Sequence, residues 1–173
     1  MTSTHRWKFC NFTDISVDDG LWRPRLDANQ DITVPYLLQM ADETGIIDNF
    51  VNAAKAKRGE ATATSLPIAG ILNSDAVLYK IVEAASCVLA RTQDPDLDAR
   101  VDDLVAEIAA AQEDDGYLLT RRTIALRQGN APPRWSNLGG DLELYIDGHL
   151  YEAAVAHYQA TGKRTLLEVA HRR

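Results

Sequence analysis

Glu143, Tyr145, Asp147 and His149 fall within seven positions at the head of an apolar run that ends at Gly162. Carboxylates four residues apart on a helix could form an acid/base or metal-binding pair, although like charges at that spacing more often face solvent. Glu143 has a second reason to stand near a helix start, where the helix dipole favours negative charge. The His149 imidazole can donate or accept a hydrogen bond, or it can simply be satisfied within helix packing. Tyr117 and Trp135 lie upstream in a long irregular stretch and combine apolar area with a polar tip. They could stack on a ligand or pin that stretch to the body. Asp115 stands in the Asp-Asp-Gly-Tyr turn before Tyr117. Asp75 opens another apolar run, as ligand or as part of a helix cap.

These residues need elements to hold them. Residues 1–30 read as an extended arm with β-like character at Ile15-Ser16-Val17, broken by Asp-Asp-Gly. From residue 31 the pattern turns helical. Thr33 with Pro35 predicts a helix start and Gly45 its stop, and "IIDNFVNAAKAKRG" continues it. A helix follows Asn73 or Ser74. A second follows Asp94-Pro95, with Leu97, Val101, Leu104, Ile108 and Ala111 forming one buried stripe. "EDDGYLLTRRTIALRQGNAPPRWSNLGG" breaks the helical pattern and reads as a packed loop. The last helix is expected from about Leu142 to Thr161, with a new start at a Thr165-x-x-Glu168 capping box.

"VLARTQDPDLDARVDDLV" and "HYQATGKRTLLEVAHRR" share a plan, with Thr92 and Thr161 lying 69 positions apart. Recurrent αα-hairpins at such an interval are what a helical array or α/α toroid shows, with an inner helix apolar on several faces and a one-sided outer helix. The fold class expected is all-α.

Length bounds the chain to one domain of ordinary composition: 173 residues, 46% hydrophobic and 25% charged. A net charge of −7 without a basic block argues against nucleic acid. Two cysteines, Cys10 and Cys87, make neither a disulfide framework nor a metal motif, and Cys87 in "EAASCVLA" is expected to be a buried, inert thiol. Without a signal-like h-region or a membrane-length apolar run, the expected location is cytoplasmic.

Taken in order, "FTDISVDDGLWRPRLDANQDITVPYLLQMADETGIIDNF", "NSDAVLYKIVEAAS", "AQEDDGYLLT", "RWSNLGG" and "ELYIDGHLYEAAVAHYQATGKRTLLEVA" resemble glycoside hydrolase family 127, the β-L-arabinofuranosidases and relatives. The Asp-Gly-Tyr-Leu and Glu-Leu-Tyr-x-x-Gly-His blocks in register make the likeness specific. The resemblance implies an (α/α)6 barrel followed by β-sandwich domains, of which this chain matches the N-terminal part. It also implies a carbohydrate substrate and retaining hydrolysis by a cysteine nucleophile and a glutamate acid/base. A zinc ion held by cysteines and a glutamate is implied for the full-length family member. Those residues lie later in the barrel, and no cysteine follows Cys87 here. The expectation is therefore a fragment without catalytic or metal-binding residues of its own, inactive in isolation, whose remaining barrel and β-sandwich domains are missing. The alternative is a non-catalytic helical-hairpin binding module.

Under this resemblance His149, Glu143, Tyr145, Trp135, Tyr117, Asp115 and Asp75 are candidates for the substrate-side wall. Two departures stand out. The family's Asp-Ser-Asp-Val-Tyr-Lys block is imperfect around Asp75, and the histidine of its His-Glu-Leu-Tyr block, which contacts the sugar in the family, is Leu142 here. A leucine cannot replace that hydrogen bond, and a polar site left unpaired costs about 1–3 kcal/mol, so the substrate is expected to differ or the activity to be lost.

Overall fold

The computed structural model describes residues 9–60, 66–71 and 73–173. Among them every regular element is helical. A 3₁₀ turn, Phe12–Asp14, leads through extended backbone at Ile15 to α1 (Arg23–Ala28). This is where the expected arm changes character. Its strand-like Ile15-Ser16-Val17 pairs with no strand among the described residues, and helix begins inside it because Asp19 accepts hydrogen bonds from the Leu21 and Trp22 amides at 2.8 and 2.5 Å and Pro24 sits in the first turn. The first eight residues of the arm lie outside the described residues.

From α1 the chain runs through a π-helical turn, Asn29–Thr33, straight into α2 (Val34–Glu43). Thr33 is therefore a helical residue and not a cap: its φ is −69° and its hydroxyl caps no amide. Gly45 does stop the helix, at φ 74°, and opens α3 (Ile46–Arg58), which Gly59 ends at φ 70°. Both glycines occupy the left-handed region that other residues enter only with strain.

The following hairpin is α4 (Ser74–Leu89) and α5 (Pro95–Ala111). Asp94 caps α5 by accepting from the Leu97 amide at 3.0 Å, ahead of Pro95 at the first helical position. Val101, Leu104, Ile108 and Ala111 are buried as their spacing predicts. At about 1.5–3 kcal/mol per large apolar side chain removed from water, this stripe alone commits α5 to its place.

The expected thirty-residue loop is a loop only at its ends. Its middle forms α6 (Thr120–Arg127), and a short α7 (Leu138–Asp141) precedes α8 (Glu143–Thr161). The periodicity of α6 is faint because only Thr120, Thr123 and Ile124 are buried. What nucleates it is a remote carboxylate, described below.

α9 (Thr165–Arg172) closes the described fold. Its capping box is not made: Arg164 is the cap residue, with no side-chain cap bond, and Glu168 faces Arg164 at 3.6 Å instead. With Thr165 already the first helical residue, its hydroxyl stands one position too far along to reach the free amides.

The helices pack in two rows. α2, α4 and α8 are neighbours in one, and α3, α5 and α9 in the other, with α4 against α8 the most extensive contact. α4 and α8 begin 69 residues apart, and so do the positions that pack beneath them. Ile81, Ala85 and Val88 of α4 are buried, and so are Leu150, Ala154 and His157 at the same places in α8. The repeat seen at Thr92 and Thr161 is thus a repeat of whole αα-hairpins.

Candidate active-site wall

The N-terminal half of α8 carries a buried polar cluster. Glu143 is 2% exposed, and each of its oxygens accepts a hydrogen bond. The Tyr117 hydroxyl donates a short hydrogen bond to Oε1, and the Trp135 amide donates to Oε2 at 2.9 Å. One turn on, Asp147 is 4% exposed and faces Arg173, whose Nε lies 2.8 Å from Oδ1. The expectation that this carboxylate pair faces solvent is overturned. Both turn inward because a phenol, a backbone amide and a guanidinium are waiting for them.

Two rings frame that guanidinium. Arg173 Cζ lies 4.4 Å from the Tyr117 ring centroid and 4.6 Å from that of Trp135, and the rings meet edge to face at 5.7 Å. Arg134 approaches the Tyr117 ring at 4.1 Å and bridges Glu113 at 2.8 Å and Asp115 at 2.5 Å. Cations over aromatic faces gain from the ring quadrupole, the more so where water is excluded. Tyr117 is therefore buried as an anchor, while Trp135 stays 41% exposed.

Electrostatics follow burial. Loss of water pushes the Asp147 carboxyl up to about 6 even though Arg173 pulls the other way. The Tyr117 phenol is held far above its ordinary range by burial and by Glu143, so it stays a donor. The Tyr79 phenol is raised by burial and by the nearby Asp75 and Asp147 charges, and its buried oxygen has no protein partner. The Arg134 hydrogen bond holds the exposed Asp115 carboxyl below the usual range.

The loop that brings Tyr117 in depends on Gly116. Its φ is 93°, and a Cβ there would stand 1.9 Å from the Arg172 carbonyl oxygen of α9, a contact no side chain tolerates. Gln112 ties the same junction by donating to the Gly116 and Val169 carbonyls, each at 2.8 Å.

Asp75 has a structural duty at a distance. It accepts the Thr120 amide at 2.8 Å and the Thr120 hydroxyl at 2.6 Å, capping α6 from the first turn of α4. Burial raises its carboxyl against the pull of those two bonds.

His149 and Tyr145 belong to a different face. The Tyr145 hydroxyl accepts from Lys80 Nζ at 2.6 Å. The two rings meet edge to face at 4.7 Å, and His149 Nδ1 lies 3.0 Å from Glu152 Oε2. This open row along α4 and α8, which Glu83 joins, can present a phenol, an imidazole, a carboxylate and an ammonium to a polyhydroxy ligand. Cys87 lines a groove on the same side with Glu83, Tyr151 and Glu152. Contrary to expectation it is exposed, because its position on α4 points out of the packed stripe; its partly sheltered thiol is pushed up by burial.

The structure thus joins Glu143, Tyr117 and Trp135, with Asp115 at their rim, pairs Tyr145 with His149, and leaves Asp75 apart. Sequence reasoning missed Arg134, Arg173, Tyr79 and Lys80. Arg134 alone carried a signal, beside Trp135 in the "RWSNLGG" block. Among the described residues no three His, Cys, Asp or Glu side chains converge to hold a metal ion. The zinc implied by the resemblance has no matching donor set among them.

Two non-glycine residues sit in the left-handed region, Trp135 at φ 65° and Leu142 at φ 57°. They bracket the segment that delivers Trp135 to Glu143. Leu142, about where the sequence put the start of α8, is its left-handed cap. A branched apolar side chain is strained there, whereas histidine is among the residues that enter this region most readily.

The family model for the GH127 catalytic domain, beta-L-arabinofuranosidase, matches residues 14–173. The chain is 31% identical over 169 residues to a non-reducing end beta-L-arabinofuranosidase of Bifidobacterium longum subsp. longum, covering 91% of this chain and 26% of the relative. Among solved structures it is similar to a GH127 beta-arabinofuranosidase, at 36% identity and a TM-score of 0.80, covering 93% of this chain and 25% of the other. It is also similar to a GH127 beta-L-arabinofuranosidase from Geobacillus stearothermophilus T6, at 32% identity and a TM-score of 0.80, covering 91% and 24%. The chain spans about a quarter of the length of these relatives. The family model over residues 14–173 and the 31% identity over 91% of the chain show that it belongs to glycoside hydrolase family 127, as a segment matching that catalytic domain.

Proposed function

We propose that this chain forms the substrate-side wall of a glycoside hydrolase resembling the β-L-arabinofuranosidases, acting on terminal arabinofuranosyl or related linkages. The observation that carries the reading is the Glu143-Tyr117-Trp135 cluster at the head of α8, within a family match that covers residues 14–173. Glu143 lies in a buried site where each oxygen accepts one hydrogen bond, from the Tyr117 hydroxyl and from the Trp135 amide. Its role is to position the Trp135 backbone, and through it a ring edge that can lie against a sugar. Tyr145 and His149 supply hydrogen bonds to hydroxyls from the open row. Bond cleavage, with the cysteine nucleophile, the glutamate acid/base and the zinc that the family resemblance implies, belongs to the remaining part of the barrel.

Leu142 marks the specificity question. The experiment is a chimera in which residues 14–173 replace the matching segment of the Bifidobacterium enzyme. It should turn over an aryl β-L-arabinofuranoside more slowly than the parent, and Leu142→His should raise kcat/KM about tenfold or more, the worth of one recovered hydrogen bond. A folded chimera with parental turnover, indifferent to Leu142→His, would remove Leu142 from the recognition surface. Turnover by the 173-residue chain alone would overturn the assignment of bond cleavage to the missing part.

A further inference from the structure

Three guanidiniums surround the Tyr117 ring, and they are not compensated alike. Arg134, 4.1 Å from the ring centroid, bridges Glu113 and Asp115. Arg173, at 4.4 Å, faces Asp147. Arg122, at 5.3 Å, pairs with no carboxylate among the described residues. Its Nε donates to the Pro132 carbonyl at 3.2 Å, and its Nη1 is shut off from water without a hydrogen-bond partner. A partly buried charge left without a counter-charge is costly. Arg121 beside it is exposed and likewise forms no ion pair among the described residues. Its charge opposes the burial that raises the Asp75 carboxyl, but Asp75 is committed to Thr120.

Both arginines line one pocket of about 270 Å³, formed by α6 and the segment that follows it. Ile68, Leu119, Ala125 and Pro132 give the pocket an apolar wall, and Gln128, Asn130 and Asp141 add two amides and one carboxylate. The volume lies just under the roughly 300–1,000 Å³ of sites for drug-sized ligands and suits a single sugar ring. Guanidiniums recognise carboxylates through paired N–H donors in a planar fork. Asp141 pairs with neither arginine among the described residues, so a ligand here must combine negative charge for the arginines with hydroxyl donors for Asp141. A phosphate monoester carries about two negative charges at neutral pH and is repelled by Asp141 more strongly than a single carboxylate is. The apolar wall can take the C–H face of a sugar ring.

We propose that this pocket binds a sugar acid, a monosaccharide unit bearing one carboxylate. Arg122 and Arg121 take the carboxylate, and Asp141, Asn130 and Gln128 take the hydroxyls. Arg122 both lines the pocket and lies over the Tyr117 ring, which sets the sugar acid beside the Glu143-Tyr117-Trp135 cluster. The site needs neither bond cleavage nor the recognition of an arabinofuranosyl unit, so its failure is separable from that of the function proposed above.

The test is a titration of the 173-residue chain at low ionic strength, followed by NMR amide shifts. The probes are D-galacturonate and D-glucuronate, with D-galactose, acetate and inorganic phosphate as controls. At least one uronate should bind saturably, with its shifts centred on α6 and the segment after it. Each control should bind about tenfold more weakly or worse. Arg122→Gln should weaken uronate binding about tenfold. Because Arg122 also packs on Tyr117, Arg121→Gln provides the second variant. Its exposed side chain should leave the melting temperature unchanged, and uronate binding should weaken about threefold or more. Absence of saturable uronate binding overturns the proposal, as does binding that a folded Arg121→Gln chain keeps unchanged. Acetate or phosphate binding as tight as the uronate also overturns it, since the pocket would then be a plain anion site.

Discussion

The two hairpins that the 69-residue repeat relates, α4–α5 and α8–α9, are built on one plan and put to different uses. In the first, the face beneath the inner helix is aliphatic, ending at Val88. In the second, the corresponding end is His157, 1% exposed with neither ring nitrogen bonded to protein. At the other end, α4 opens on Asp75, which caps a neighbouring helix, and α8 opens on Glu143, which holds a loop and its tryptophan. The first hairpin uses its buried carboxylate to build the fold, and the second uses its own to present a surface. The difference teaches that an internal repeat conserves packing directions while leaving each inner-helix N-terminus free for other work.

The comparison breaks most sharply at Gly116, where the second hairpin meets the loop of the first. Gly116→Ala places a methyl on the Arg172 carbonyl. It should cost about 3 kcal/mol or more through positive-φ strain and forced movement of α9, read as a fall in melting temperature together with a change in Trp135 fluorescence. Asp75→Ala comes next. It strands the Thr120 amide and hydroxyl in a buried site and should cost about 2–3 kcal/mol. Trp135 fluorescence should stay unchanged, since α6 and not the tryptophan loop loses its cap.

The titrating groups sharpen the contrast, because the two act with opposite sign. Asp147 holds its proton more tightly folded than unfolded, being pushed up to about 6 by burial. Its contribution to stability is full below about pH 4 and is lost as pH rises through about 6. Asp147→Asn should therefore flatten the dependence of melting temperature on pH between those values, by at most about 3 kcal/mol. His157 is pushed below its ordinary value by burial. Its neutral form stabilises the fold above about pH 6.5, and that contribution is lost as pH falls below it. His157→Leu, which restores the aliphatic character of the first hairpin, should remove this acid-side loss and raise stability at neutral pH by about 1 kcal/mol. A variant as acid-sensitive as the parent would show that His157 is not the group responsible.

Much of the fold was legible in local signals. Asp94-Pro95, Gly45 and the α5 stripe act over three or four residues, and the structure obeys each. Thr33 and Thr165 carried equally good local signals and failed. At Thr33 a preceding helix ran through the cap, and at Thr165 the helix began one residue earlier than its box. The middle of the long loop was illegible because α6 is held by Asp75, 45 residues away, and contributes little periodicity of its own. Candidate residues were recognisable from type and from family resemblance, but not their grouping. Tyr117, Trp135 and Glu143 meet across separations of 26 and 8 residues, which no helical spacing encodes.

By itself the sequence determined the helical class, the hairpin interval of 69 residues and the polar residues that the head of α8 itself carries, Glu143, Tyr145, Asp147 and His149, because each rests on local periodicity or composition. Only the tertiary structure decided that Glu143 and Asp147 turn inward, that Cys87 faces out and that Leu142 is a strained cap. Each of those outcomes depends on which neighbour arrives to compensate a buried charge or to cover an apolar face, and the neighbours come from distant parts of the chain.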